Sequence, residues 1–234
     1  MILVLAYHSV SDYDYLYAVS AKKFRKQIIY LKKKFKIISV EELENFLDNQ
    51  QKITENLAVI TFDDGLEDNY LNAWPILKEL KIPAIIFMTT SLLGGSITND
   101  RGFYFKFLNK DQIIEMSKDE LITFGSHTHK HPILTTLKSP EIDHELKVSK
   151  NILESIINKD VKYFAYPKGK FNEEVLAIVK NYHYLAFGTQ GFIKDISTVN
   201  FLAIPRMIIY NNNIWKFRLQ VSKFYQSLRN KLYG

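Results

Sequence analysis

Ala58-Val59-Ile60-Thr61-Phe62-Asp63-Asp64-Gly65 carries an apolar run straight into two adjacent carboxylates and a glycine. The run has the length and composition of a buried strand. Side chains of a strand alternate between two faces, so Asp63 and Asp64 point apart unless the backbone turns, and Gly65 permits such a turn. One carboxylate can then bind something that the other does not. The plain alternative is a helix cap: acidic residues after a strand often cap the following helix, here starting near Leu66.

Outward from this stretch the chain repeats a strand-then-helix rhythm. Upstream, Met1–Ala6 reads as a first buried strand. Ser20 caps a helix over 21–35, with Phe24, Ile28, Ile29 and Leu31 at helical spacing. A short strand over 36–40 follows, and Ser39 with Glu42 forms a capping box for a helix to about Leu47. Downstream, Ala73, Ile76, Leu77 and Leu80 mark a helix, and Pro83 introduces a strand over 84–88. The segment 94–107 breaks the rhythm and reads as a loop whose aromatics, Phe103, Tyr104, Phe105 and Phe107, can line a cleft. Helices over 111–118, 140–158 and 173–180 then alternate with strands over 121–125, 161–166 and 184–188. Parallel strands with crossover helices are implied. At least seven such steps predict an α/β fold, a distorted, seven-stranded (β/α) barrel in a single domain over 1–212. Residues 213–234 are set apart as a C-terminal basic amphipathic helix.

The composition of the 234 residues, 47% hydrophobic and 24% charged, suits one globular domain and excludes disorder. Cysteine is absent, so disulfides and thiolate metal sites are excluded, and any metal must use histidine and carboxylate. The formal charge of +6 is spread along the chain. That distribution describes a lysine-rich solvated surface, with an acidic membrane as the other reading, and no nucleic-acid site. Met1–Ala6 lacks a basic leader before it, and no segment approaches the length of a spanning helix. The expected location is cytoplasmic, with contact to the inner face of the membrane as an option.

In a parallel barrel the chemistry sits at the C-terminal ends of the strands. Those ends carry Asp63 and Asp64, then Ser126-His127-Thr128-His129-Lys130-His131-Pro132, then Pro167-Lys168-Gly169. The second cluster holds three of the six histidines. In an extended backbone His127, His129 and His131 share a face; in a helical turn His127 and His131 pair and His129 turns away. Imidazoles with one carboxylate and an open position make a catalytic zinc-type site, while a histidine-rich surface loop is the simpler reading.

The combination Thr61-Phe62-Asp63-Asp64-Gly65 with Ser126-His127-Thr128 and His131-Pro132 resembles the polysaccharide deacetylases, the NodB-homology domains of carbohydrate esterase family 4. The opening Val4–Val10 and the segment 24–47 look like the poly-N-acetylglucosamine deacetylase subgroup. The resemblance implies hydrolysis of a sugar N-acetyl group in a polysaccharide or lipid-linked glycan. It implies Asp64, His127 and His131 as ligands of a divalent metal, Zn2+ foremost, and Asp63 as the general base acting on a metal-bound water. It also implies that the backbone N–H of Lys168 holds the oxyanion.

Two later motifs depart from the family. No arginine precedes the Phe164-Ala165-Tyr166-Pro167 step, where the family's partner of the catalytic aspartate commonly stands. Leu202-Ala203-Ile204-Pro205-Arg206 lacks the histidine of the usual Leu-x-His element. Arg206 can orient the catalytic carboxylate, bind substrate, or form a structural ion pair. His8 faces the site or is a buried, hydrogen-bonded histidine. His144 and His183 read as residues without function.

The tail, with Phe217, Val221, Phe224, Tyr225, Leu228 and Leu232 on one face among basic residues, suits the barrel surface or, over 214–232, an anionic membrane. Two further readings of the whole chain stay open: a deformylase or other deacylase of a lipid-linked aminosugar, and a glycan-binding domain with weak or no turnover.

Overall fold

Strand β3 (Leu57–Phe62) is buried along its whole length because both of its faces are covered. Leu57 and Val59 pack with Ile2, Val4, Ile85, Phe87, Ala165 and Phe187. The alternate residues Ala58, Ile60 and Phe62 pack with Leu3, Leu5, Ile86 and the helix residues Phe24 and Ile28. The first cluster, drawn from strands all round the sheet, fills the inside of a curved layer. The second lies between that layer and the helices outside it.

The computed structural model describes residues 1–188 and 191–222. Its main sheet runs in the order β10 (Met207–Ile208), β1 (Ile2–Tyr7), β3, β4 (Ala84–Met88), β7 (Ile122–Ser126), β8 (Tyr163–Ala165) and β9 (Leu185–Phe187), every pairing parallel. Strand β2 (Lys36–Ile37) pairs with the start of β3, where β4 has not yet joined it. Ile204 bridges to Phe187 of β9, and Met207 pairs with Leu5 of β1. One segment, 204–208, therefore spans the gap between the last strand and the first, and the sheet is a distorted, seven-stranded barrel as expected.

Local chemistry sets the outer helices. Ser20 Oγ accepts the N–H of Lys23 to start α1 (Ala21–Lys34), and Ser39 and Glu42 form the predicted capping box of α2 (Val40–Asp48). A π-helical turn, Asn69–Ala73, leads into α3 (Trp74–Leu80). Helices α4 (Lys110–Met116), α5 (Ser139–Ile157) and α6 (Glu173–Val179) complete the crossovers.

Three features differ from the sequence reading. Residues 94–107 are not a plain loop: they contain an antiparallel hairpin of β5 (Ser96–Thr98) and β6 (Tyr104–Lys106). Asn99 Oδ1 accepts the N–H groups of Arg101 and Phe103 at its turn. The alternation of buried Phe105 and Phe107 with exposed Tyr104 and Lys106 is a strand period hidden by the aromatic run. Strand β10 escaped notice because it has two residues. In the tail, α7 (Ile214–Gln220) buries Phe217 and Val221 in the layer shared with α1 and leaves Trp215 72% exposed. The rest of the helix expected to 232 lies outside the described residues. No helix among the described residues is long and apolar enough to cross a membrane.

His183 is buried and stacked on Phe164 at 5.1 Å, and its Nδ1–H donates to the carbonyl of Val161. Burial, reinforced by Lys150, pushes its pKa down to about 3. The unfolded chain protonates this imidazole near its ordinary value of about 6.5, so it binds more protons than the folded chain below that pH. Stability contributed by neutral His183 is therefore present above about pH 6.5 and falls as the pH drops toward 3. Denaturant melts across that range should show a shallower acid decline for His183→Phe than for the wild type.

Candidate active site

The inward row of β3, Leu57–Val59–Thr61, continues to Asp63, which is only 5% exposed. Its N–H donates to the carbonyl of Tyr7, which holds the backbone in register with β1 for one more residue. The chain then turns: Asp64 has φ 72° and Gly65 φ 76°. A Cβ at Gly65 would lie 2.5 Å from Met88 Cε, so the end of that side chain would have to shift, and the left-handed backbone strains any larger residue there. Asp64 is thereby swung out of the strand's alternation, and the two carboxylates enter different environments.

Asp63 is gripped by Arg206. Nη1 and Nη2 of the guanidinium donate to its two carboxylate oxygens at 2.6 and 2.8 Å. The same side chain donates through Nη1 to Thr61 Oγ1 and through Nε to the carbonyl of Gly188, and it lies over the ring of Phe87. Arg206 is 1% exposed. Burial by itself pushes the Asp63 carboxyl up, but the charge of Arg206, with help from His127 and His8, outweighs it and holds the group well below the usual carboxylate range. Arg206 thus forms a buried, two-pronged ion pair with Asp63. The arginine that pairs with Asp63 therefore comes from the segment after β9 and not from the stretch ahead of Pro167.

Asp64 faces two imidazoles instead. Its Oδ1 lies 3.6 Å from His127 Nε2 and 3.5 Å from His131 Nε2. Two ligands each about 2.1 Å from one tetrahedral ion stand roughly 3.4 Å apart, so the donor set fits a divalent metal. The three residues form one cluster of potential ligands. His127 is buried, and its Nδ1–H donates to the carbonyl of Ala165 at 2.7 Å, which leaves Nε2 as the free lone pair. Burial chiefly pushes its pKa down to about 4, so the ring is neutral at pH 7.

The backbone that pairs His127 with His131 is not a helical turn. Thr128 and His131 both take left-handed φ values, 69° and 59°, and Thr128 Oγ1 accepts the His131 N–H. His129 points elsewhere, its Nδ1 meeting Thr90 Oγ1 at 3.0 Å. Buried Glu145 of α5 accepts the N–H groups of His129 and Lys130 through one oxygen. Sequence reading passed over Glu145; a single acid on the apolar stripe of a helix, beside Ile142, Leu146 and Ser149, was the available signal.

His8 lies close enough for its charge to act on Asp63, and its Nδ1 is buried with no hydrogen-bond partner. Lys168 has φ 57° in the 3-10 turn Pro167–Gly169, two residues past the strand end that holds His127. Its side chain is exposed, and its N–H meets no acceptor among the described residues.

The family model described as polysaccharide deacetylase matches residues 50–187. The chain belongs to the polysaccharide deacetylase family. It is 30% identical to the poly-beta-1,6-N-acetyl-D-glucosamine N-deacetylase of Staphylococcus aureus, over 88% of this chain and 78% of that one. The Bacillus subtilis protein YxkH is 32% identical over 174 residues, 74% of this chain, and the match spans 58% of that relative's length. Among solved structures, the Streptococcus pyogenes deacetylase PplD in complex with acetate superposes with a TM-score of 0.79 at 27% identity, covering 94% of this chain and 96% of that one.

Removing Arg206 leaves a charged carboxylate buried without its counterion. Arg206→Leu should lower the unfolding free energy by about 3–5 kcal/mol. The double variant with Asp63→Asn should lose less than the sum of the single losses, a coupling read from chemical denaturation.

Proposed function

We propose that this polysaccharide deacetylase homologue is a metal-dependent hydrolase that removes the N-acetyl group from an N-acetylated sugar in a polysaccharide or lipid-linked glycan. The observation that carries the reading is the division of labour between neighbouring carboxylates: Asp63 is tied to Arg206, and Asp64 is left to two neutral-capable imidazoles.

Asp64, His127 and His131 would hold a divalent ion, with Zn2+ the first candidate for two imidazoles and a carboxylate. Such an ion supplies Lewis acidity toward the acyl carbonyl and lowers the pKa of water bound at the site. Asp63 stays ionised and is held in a fixed plane by both prongs of Arg206, so it can accept the proton of the attacking water. The N–H of Lys168, which meets no acceptor among the described residues, donates to the oxygen on which charge develops. His8, whose ring stands near Asp63, is the candidate to return a proton to the leaving amine through Nε2, since its Nδ1 is buried. Arg206 acts through Asp63 and touches no reacting atom.

Acetate release from N-acetylglucosamine-containing glycans tests the proposal. Asp63→Asn should keep the metal and lose the activity by a factor of about a hundred or more, the usual weight of general-base catalysis. His127→Ala should lose the metal itself, as read by elemental analysis, and chelation of the wild type should abolish turnover reversibly. Full activity in metal-loaded Asp63→Asn would overturn the assigned mechanism. Glu145→Ala, which frees the backbone between the two histidines, should weaken metal binding by roughly tenfold or more in a competition titration.

A further inference from the structure

The inward row of β1, Ile2 and Val4, continues to His8 as that of β3 continues to Asp63, and the pairing of Tyr7 with Phe62 brings the two strand ends level. Three other histidine rings are anchored through Nδ1: His127 on the Ala165 carbonyl, His129 on the Thr90 hydroxyl and His183 on the Val161 carbonyl. Nδ1 of His8 has no such partner, and the ring lies beside that of Tyr17 at 5.0 Å. The aim of the His8 imidazole is therefore set by the backbone that carries it and by the ring next to it.

That backbone is held from the segment that follows the paired carboxylates. Asn69 Nδ2 donates to the His8 carbonyl at 2.8 Å and to Asp68 Oδ1 at 3.0 Å. Asp68 accepts the Val10 N–H through Oδ1 and the Ser9 hydroxyl through Oδ2, and Asn72 Nδ2 donates to the Val10 carbonyl. The Ser9 N–H donates to the Tyr17 carbonyl, which joins the neighbouring ring to the same clamp. The turn that presents Asn69 and Asn72 is π-helical: the Trp74 N–H reaches the Asn69 carbonyl, five residues back. Such turns are rare and concentrate at functional sites. Asn69 is 1% exposed, and its Oδ1 is buried without a partner. An unsatisfied buried oxygen costs stability that an apolar residue would not, so this amide is kept for what its Nδ2 holds.

We propose that Asn69, supported by Asp68 and Asn72, is a positioning residue for the deacylation: it fixes the main chain at His8 and so aims the imidazole at the leaving amine, while touching neither substrate nor metal. The proposal rests on the reading of His8 as the group that returns the proton. The stretch 63–72 then carries the base, a metal ligand and the mount of the acid, so one crossover sets all three relative to one another.

An amine leaves only once its nitrogen gains a proton, whereas 4-nitrophenolate leaves without one. The ratio of acetate release from an N-acetylglucosamine oligomer to hydrolysis of 4-nitrophenyl acetate therefore reads the acid step. It is measured for metal-loaded wild type, Asn69→Ala, Asn72→Ala, His8→Ala and the double variant His8→Ala with Asn69→Ala. Asn69→Ala should lower the ratio roughly tenfold or more, through kcat and not KM, and Asn72→Ala, which grips the loop two residues past His8, should lower it less. His8→Ala should lower it further, and adding Asn69→Ala should then change it no more. Equal losses on both substrates in Asn69→Ala, as a merely structural role gives, or losses that multiply in the double variant, overturn the proposal. Where Asn69→Ala does not fold, Asn72→Ala decides: a lowered ratio supports the proposal and a wild-type ratio overturns it. Failure of the underlying reading shows separately, as no acetate from the wild type or a wild-type ratio in His8→Ala. The imidazole proton resonances of His8 then judge the mount alone: displaced or broadened in Asn69→Ala they support it, and unchanged they sink it.

Discussion

The buried pair between Arg206 and Asp63 is the interaction on which the rest of the site depends. Two adjacent carboxylates at a strand end repel, and burying one of them without a counterion costs several kcal/mol. The guanidinium meets that cost for Asp63, and its two prongs fix the carboxylate plane at the same time. Asp64 is then free to face the imidazoles, because the left-handed backbone at Asp64 and Gly65 has already turned it away. The pair also ties the ends of the sheet together, since Arg206 comes from the segment that bridges β9 to β1. Barrel closure and the readiness of the candidate base are therefore one structural event.

Around this pair the site is built from backbone more than from side chains. Left-handed residues Asp64, Thr128 and Lys168 stand within three positions of the ends of β3, β7 and β8, and His131 takes the same conformation three residues past Thr128. Such conformations cost of order 1 kcal/mol or more apiece and persist only where neighbours enforce them. The Thr128 hydroxyl under His131 and the Glu145 carboxylate under His129 and Lys130 hold the histidine segment in this shape. The cluster of Asp64, His127 and His131 is consistent with a divalent metal site of the polysaccharide deacetylase family.

Much of the fold is legible in the sequence because parallel strands buried on both faces leave continuous apolar runs, and helix caps leave local signatures. Ser20, Ser39 and Glu42 cap as read, and the apolar run Ala58–Phe62 lies in β3. The hairpin of β5 and β6 was missed because its buried positions alternate with Tyr104, which is itself aromatic, so the period is masked. At the site, the metal cluster was accessible through motif resemblance, whereas the residues alone left two geometries for the histidines. Neither geometry was right in detail: His127 and His131 do pair, but over an irregular turn with two left-handed residues.

Local pattern determined the alternating α/β class, the polar residues gathered at strand ends, and, through the lack of cysteine, a donor set limited to histidine and carboxylate. Tertiary structure alone decided that Arg206 pairs with Asp63, which carboxylate stands by which partner, and that Tyr13 and Tyr15 meet Phe103 and Phe105. The reason is distance along the chain. Arg206 and Asp63 are 143 positions apart, and the rings of the N-terminal loop and the hairpin come from separate crossovers. Short-range periodicity records which face of an element is buried; only the curling and closure of the sheet records what that face meets.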